Sequence, residues 1–202
     1  MQLKAIVFDF DGTLVDSNAC KHNAFYEVFP ARPEVRAVID DVLSEIETQS
    51  RYVIFPELLR RLRSVMPGAG PDQAAEYIER YRRHVVAGQQ AAREMPGAGE
   101  ALRALSQKYP LYLSTVTPQD DIEMLLKARN WDGLFKEVFG YPNDKVMVLQ
   151  HVTQVENAGS AGIVMVGDGA GDRAAATQAG CLFEQAGGDF NFEQFVRRLL
   201  KE

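Results

Sequence analysis

Ala5-Ile6-Val7-Phe8-Asp9-Phe10-Asp11-Gly12-Thr13-Leu14 opens the chain with four uninterrupted apolar residues and then two acids. A short apolar run of this kind suits a parallel strand covered on both faces by helices. Its acids then stand at the carboxyl end of the strand, where open α/β sheets bind ligands. Alternation along an extended segment puts Asp9 and Asp11 on one side, and Gly12 lets the backbone turn away sharply. Two acids so placed suit metal binding or a division between nucleophile and acid/base, whereas Asp and Gly as ordinary turn formers are the plain alternative. A calcium-binding EF-hand loop is excluded, because counting from Asp9 puts Leu14 where glycine is required and Cys20 where a bidentate Glu belongs.

Working outward, three more runs read as buried strands: Leu111-Tyr112-Leu113, Glu137-Val138-Phe139 and Ile163-Val164-Met165-Val166. Cys181-Leu182-Phe183 suggests a further strand, and Phe192 to Leu200 a closing helix. Ala98, Ala101, Leu102 and Leu105 follow helical spacing, as do Ile122, Leu125 and Leu126 after Thr117-Pro118, which reads as an N-cap followed by proline at the first helical position. Residues 17–94 differ. They hold no convincing strand and four amphipathic stretches, roughly 18–29, 34–47, 52–65 and 72–88, with Pro67-Gly68-Ala69-Gly70-Pro71 as an internal break and Pro96-Gly97 marking the return. The expected division is therefore an α/β core of 1–16 and 95–202 with an inserted all-helical region of 17–94.

The 202 residues carry 22 Lys plus Arg against 28 Asp plus Glu, with 46% hydrophobic and 25% charged residues, an ordinary globular composition that excludes disorder and collagen-like structure. The insertion is balanced, 11 basic against 11 acidic, so the net charge of −6 belongs to the core. That balance predicts no nucleic-acid partner and no attraction to anionic lipid, and it assigns Arg60-Arg61-Leu62-Arg63 and Arg80-Tyr81-Arg82-Arg83-His84 to solvated helix faces. No run approaches the ~18 apolar residues of a membrane helix. Cys20 and Cys181 stand far apart in no metal-binding pattern, which suits a reducing cytoplasm.

Gly167-Asp168-Gly169-Ala170-Gly171-Asp172 follows the strand at 163–166 and leads into a helical stretch, Arg173 to Ala179. It differs from a dinucleotide-binding loop, because carboxylates at Asp168 and Asp172 would repel a pyrophosphate unless a cation intervened. If the two strands are neighbours, Asp9, Asp11, Asp168 and Asp172 converge, and four close carboxylates cannot all stay ionised without positive charge. A hard divalent cation answers this, and oxygen-only ligands favour magnesium.

Asp9-Phe10-Asp11-Gly12-Thr13 and Gly167-Asp168 with Asp172 resemble the first and fourth motifs of the haloacid dehalogenase-like hydrolase superfamily. The second motif is matched by Thr115 in Leu111-Tyr112-Leu113-Ser114-Thr115, with Ser114 as the fallback, and the third by Lys145. The insertion is similar to the small helical cap of phosphoglycolate phosphatase-like members. The chain departs from many relatives in having Val116-Thr117-Pro118 where Asn or Gly follows the second-motif residue.

The resemblance implies a Rossmann-like parallel sheet flanked by helices, with a helical cap, and a magnesium-dependent phosphatase of a small phosphorylated metabolite. It implies Asp9 as nucleophile, Asp11 as acid/base, Thr115 and Lys145 as phosphate-stabilising groups, and Asp9, Asp11 through its carbonyl, Asp168 and Asp172 around Mg2+. Gly12 and the N–H of Val116 are expected to bind the phosphate. Ser50 and Arg51, beside Tyr52, combine a hydroxyl, a fork-shaped cation and a ring, and are expected to select substrate; the plain alternative is a helix cap and a solvated arginine. Two rival functions stay open: a phosphomutase of the same superfamily, which carries a histidine near His22 although the spacing aligns Lys21 better, and a non-catalytic binding module. Oligomeric state is left open.

Overall fold

Five parallel strands form one sheet in the order β3-β2-β1-β4-β5, with β1 Ala5–Phe8, β2 Leu111–Pro118, β3 Glu137–Tyr141, β4 Ile163–Gly167 and β5 Leu182–Gln185. The computed structural model describes residues 3–46, 49–187 and 190–200. The central place of β1 follows from its composition, since all four of its residues are fully buried. Alternation then sorts the side chains of the sheet into two cores. Ile6, Phe8, Leu111, Leu113, Val164 and Val166 face α5 (Ala98–Ser106), α6 (Gln119–Ala128) and α9 (Phe192–Leu200). Ala5, Val7, Tyr112, Ile163 and Met165 face α7 (Lys145–Val155) and α8 (Ala170–Ala179). Each large apolar side chain so covered contributes roughly 1.5–3 kcal/mol. This is the α/β sheet flanked by helices that the resemblance implies.

The chain divides into two compact units, Met1–Ser17 with Ala92–Glu202, and Asn18–Ala91. Ser17 and residues 92–94 fall with the sheet because the two connecting segments are tied to each other. Val15 bridges to Glu94, the N–H of Asp16 donates to the Arg93 carbonyl (2.9 Å), and that of Met95 to the Leu14 carbonyl (2.9 Å). The second unit consists of α1 (Asn18–Glu27), α2 (Pro33–Ile46), α3 (Arg51–Leu62) and α4 (Ala74–Ala91). Residue 47, the last of the second expected helical stretch, lies outside the described residues. Stacked rings hold this unit, with Phe25 against Tyr81 (4.5 Å) and Phe29 against Tyr77 (4.7 Å). Arg61 pairs with Asp41, Glu45 and Glu57, so this basic cluster is answered by acids on adjoining helices.

Two expectations need correction, and one helix lies where the sequence named none. β2 runs on to Pro118, so Thr117 is strand rather than N-cap, and α6 begins at Gln119 after Pro118 with no side-chain cap. α8 starts three residues earlier than Arg173, because the Asp172 carboxylate turns back and accepts the Gly169 N–H (3.0 Å). α7 was not foreseen; Asp144 caps it by accepting from the N–H groups of Val146 (2.9 Å) and Met147 (3.2 Å). Among the described residues no helix is long and apolar enough to cross a membrane.

Candidate active site

The residues singled out in the core gather at the carboxyl ends of β1, β2 and β4 and at the start of α7. Asp9 directly follows β1, where its N–H is held by the Val166 carbonyl (2.9 Å) and the residue is 6% exposed. Lys145, the first residue of α7, donates from Nζ to Asp9 Oδ1 (2.7 Å) and to Asp172 Oδ1. Asp172 is itself buried and packed so closely over Gly167 that a Cβ there would overlap the carboxyl group. Thr13 donates to Asp168 Oδ1 (3.4 Å), while the Asp168 carbonyl accepts from Gln185 Nε2 (2.8 Å). Gly12 adopts φ +74°, the left-handed turn that frees the chain to leave the strand end.

Carboxylate oxygens of Asp9, Asp168 and Asp172 all lie within 4.8 Å of one another. Burial pushes the Asp9 carboxyl up to about 7; Lys145 pulls it down, and Asp172 and Asp11 push it further up. Burial would lower the Lys145 ammonium, but Asp9 and Asp172 together hold it well above its ordinary value. Lys145 thus bonds two of these three carboxylates, Asp9 and Asp172. The donors are oxygen only, and the deficit is of positive charge, so the residues fit a hard cation such as magnesium.

Asp11 is engaged differently. Its Oδ1 accepts from Ser17 Oγ (2.6 Å) and its Oδ2 from Thr117 Oγ1 (3.0 Å), both hydroxyls buried. Sequence reasoning missed both residues: Ser17 stood at an expected domain boundary and Thr117 read as a helix cap. Thr115 is buried at the end of β2, and its Oγ1 accepts the Thr117 N–H (3.2 Å). Ser114, the fallback, is buried with its hydroxyl lacking a partner among the described residues. Val116 is 61% exposed.

Ser50 and Arg51 belong to the helical unit. Ser50 precedes α3 without a side-chain cap, which corrects the plain alternative for it, and the half-buried Arg51 guanidinium lies over the Tyr81 ring (5.2 Å) rather than in solvent. His22 is exposed on α1 against Tyr26 (5.3 Å), and the Lys21 carbonyl accepts from Tyr81 (3.2 Å).

Comparison with known proteins bears on the family of the chain. A family model described as haloacid dehalogenase-like hydrolase matches residues 3–180. The chain is 25% identical over 207 residues to a phosphoglycolate phosphatase of Psychrobacter arcticus, covering 98% of this chain and 90% of that protein. Among solved structures, the HAD-hydrolase YfnB of Bacillus subtilis, bound to magnesium, superposes with a TM-score of 0.74 at 18% identity, covering 99% of this chain and all of that one (100%). A predicted phosphoglycolate phosphatase of Haemophilus somnus gives 0.71 at 22% identity, covering 100% and 98%. At these identities the two structures speak for the fold. The family match spans most of the chain and includes all four aspartates and Lys145, and the chain belongs to the haloacid dehalogenase-like hydrolases, in keeping with a phosphoric monoester hydrolase.

Proposed function

We propose that the chain is a magnesium-dependent phosphatase that hydrolyses a small phosphorylated metabolite through an aspartyl-phosphate on Asp9. The observation that carries this reading is the unequal treatment of the two acids after β1. Asp9 faces the Lys145 ammonium (2.7 Å) and the other carboxylates, whereas Asp11 is fixed by two hydroxyls. Such a pair divides nucleophilic from acid/base work.

In the first half-reaction an Asp9 oxygen bonds to phosphorus as the ester P–O bond breaks, and Asp11 gives its proton to the departing alkoxide. In the second, water attacks the same phosphorus, its proton passes to Asp11, and the bond to Asp9 breaks to leave inorganic phosphate. The sum is ester plus water to alcohol plus phosphate. Lys145 and Thr115, with the N–H of Val116, would stabilise the phosphoryl oxygens, and Gly12, whose own N–H donates to the Val15 carbonyl (2.8 Å), would serve the phosphate through the turn it makes at the strand end. Asp9, Asp168 and Asp172, with the Asp11 carbonyl, would hold magnesium. When bound, the ion supplies positive charge against the phosphoryl oxygens. Ser50 and Arg51 are assigned to substrate choice, no nucleic acid is assigned as partner, and a reducing cytoplasm suits the acidic chain.

Purified protein with magnesium should release phosphate from at least one member of a panel of phosphorylated sugars, hydroxy acids and nucleotides, 2-phosphoglycolate included because a relative bears that name. No release from any member would overturn the proposal, and an isomerised sugar phosphate as product would assign the chain to the mutases instead.

A further inference from the structure

We infer that Thr117 is a positioning residue that aims the Asp11 carboxylate at the departing oxygen of the substrate, an inference that rests on the acid/base role proposed for Asp11. β2 does not end as a regular strand. Ser114 pairs with Phe139 and Pro118 with Tyr141, so four steps along β2 are matched by two along β3. The surplus lets residues 115–117 leave the ladder. Thr115 and Thr117 are buried while Val116 between them is exposed, and the Thr117 hydroxyl reaches Asp11 across 106 residues of sequence.

This distorted end is held from both sides. The Thr117 N–H donates to Thr115 Oγ1 (3.2 Å), and Gln119 ties the next turn to β3, donating to the Val138 carbonyl (3.1 Å) and accepting the Gly140 N–H (2.6 Å). Gly140 is required there: a Cβ would stand 2.7 Å from the Thr117 carbonyl oxygen and from the backbone of Gln119. Thr117 could instead have capped α6, where such a residue adds about 1 kcal/mol. It gives its hydroxyl to Asp11, and α6 starts without a side-chain cap. Sites that forgo a local stabilising option in this way are those where the group is used elsewhere.

With Ser17 on Oδ1 and Thr117 on Oδ2, the carboxylate plane is set from two directions. Ser17 lies six residues from Asp11 on the same segment after β1, whereas Thr117 stands on β2, 106 residues away. Thr117 is the member of the pair that fixes Asp11 relative to the sheet. Misplacement by about 1 Å can cost on the order of a hundredfold in rate.

The test exploits the leaving group. An alkoxide needs the Asp11 proton as it departs; 4-nitrophenolate does not. kcat/KM, which reports the steps through ester cleavage, is measured for the fastest of 2-phosphoglycolate, glycerol 3-phosphate and glucose 6-phosphate, and for 4-nitrophenyl phosphate. Thr117→Val should lower the value for the alkyl ester about 10- to 100-fold, part of the usual contribution of a general acid, and that for the aryl ester by less than about 3-fold. Thr117→Ser, which keeps the hydroxyl, should restore the alkyl value to within about 3-fold of wild type. If Thr117→Val does not fold by circular dichroism and melting, Thr117→Ala against Thr117→Ser gives the same comparison. Equal losses on both esters, no loss on either, or failure of serine to rescue would overturn the inference while leaving the phosphatase reading in place. A wild-type protein inactive on every ester overturns both.

Discussion

Asp9→Asn should abolish turnover and, in chelator, make the fold more stable at alkaline pH. The change is nearly isosteric, and it replaces a buried acid by a neutral group that resembles its protonated form. Burial raises the Asp9 carboxyl from 3.8 to about 7. Because the folded value lies above the unfolded one, the associated stability is fully present below 3.8 and is lost as pH rises through about 7. A shift of about 3 units at 1.36 kcal/mol each corresponds to roughly 4 kcal/mol. That is a ceiling, since Asp9 is 6% exposed and water reaching it relieves part of the penalty. For a chain of this size about 1 kcal/mol moves the melting temperature by ~2–4 °C, so the metal-free variant should melt roughly 5–10 °C above wild type at pH 8 and within about 2 °C of it at pH 4. Magnesium should narrow the gap at pH 8 by stabilising wild type through its charged aspartates. A difference that stays flat from pH 4 to 8.5, or a variant less stable than wild type at pH 8, would refute the electrostatic argument. Turnover above ~1% of wild type would refute the nucleophile, given the many orders of magnitude enzymes supply.

Three other outcomes follow from the same geometry. Activity should vanish in chelator and return with magnesium, with calcium inhibiting because it takes more oxygen ligands than magnesium; Asp168→Ala should raise the magnesium concentration for half-activity at least about 10-fold, and the exposed Asp72→Ala should not. Arg51→Ala should reduce kcat/KM for the true substrate about 10-fold while 4-nitrophenyl phosphate, which needs only the core, changes by less than about 2-fold, as steady-state kinetics on both will read. Gly140→Ala should cost about 1–3 kcal/mol, seen as a melting point lower by ~3–10 °C, because the added carbon meets only backbone and something must shift.

The sheet was legible where burial on both faces leaves only apolar residues to choose. Ala5–Phe8 and Ile163–Gly167 are such strands, and their neighbouring pairing brings the four aspartates to one end. The end of β2 was not legible. Ser114-Thr115-Val116-Thr117-Pro118 is polar, and its proline at the mouth of a helix imitates an N-cap signal. α7 was hidden for a different reason, since Lys145-Val146-Met147-Val148-Leu149 is apolar and partly β-branched, with no clear polar face. Its one readable sign was Asp144, a capping residue two places after Pro142. Among site residues, acids and a lysine in motif order are visible in one dimension. The hydroxyls of Ser17 and Thr117 are not, because a hydroxyl carries no spacing rule and its partner is chosen only once the strands have been ordered.

The ordering of strands also explains why the negative charge of the chain sits in the core. Ending β1 and β4 side by side on carboxylates raises the free energy of the metal-free fold, and burial pushes the Asp9 carboxyl up accordingly. Lys145 offsets part of it, yet its one charge is shared between Asp9 and Asp172, while Asp168 accepts from the Thr13 hydroxyl. A core selected for stability alone would have ended one of these strands on a neutral residue. Retaining all of them suits the proposed divalent cation, whose positive charge would offset the carboxylates and could then hold a phosphoryl oxygen as a further ligand. Asp11 is set apart by its surroundings: its two carboxylate oxygens accept from the Ser17 and Thr117 hydroxyls, which on the proposed reading would hold it for proton transfer.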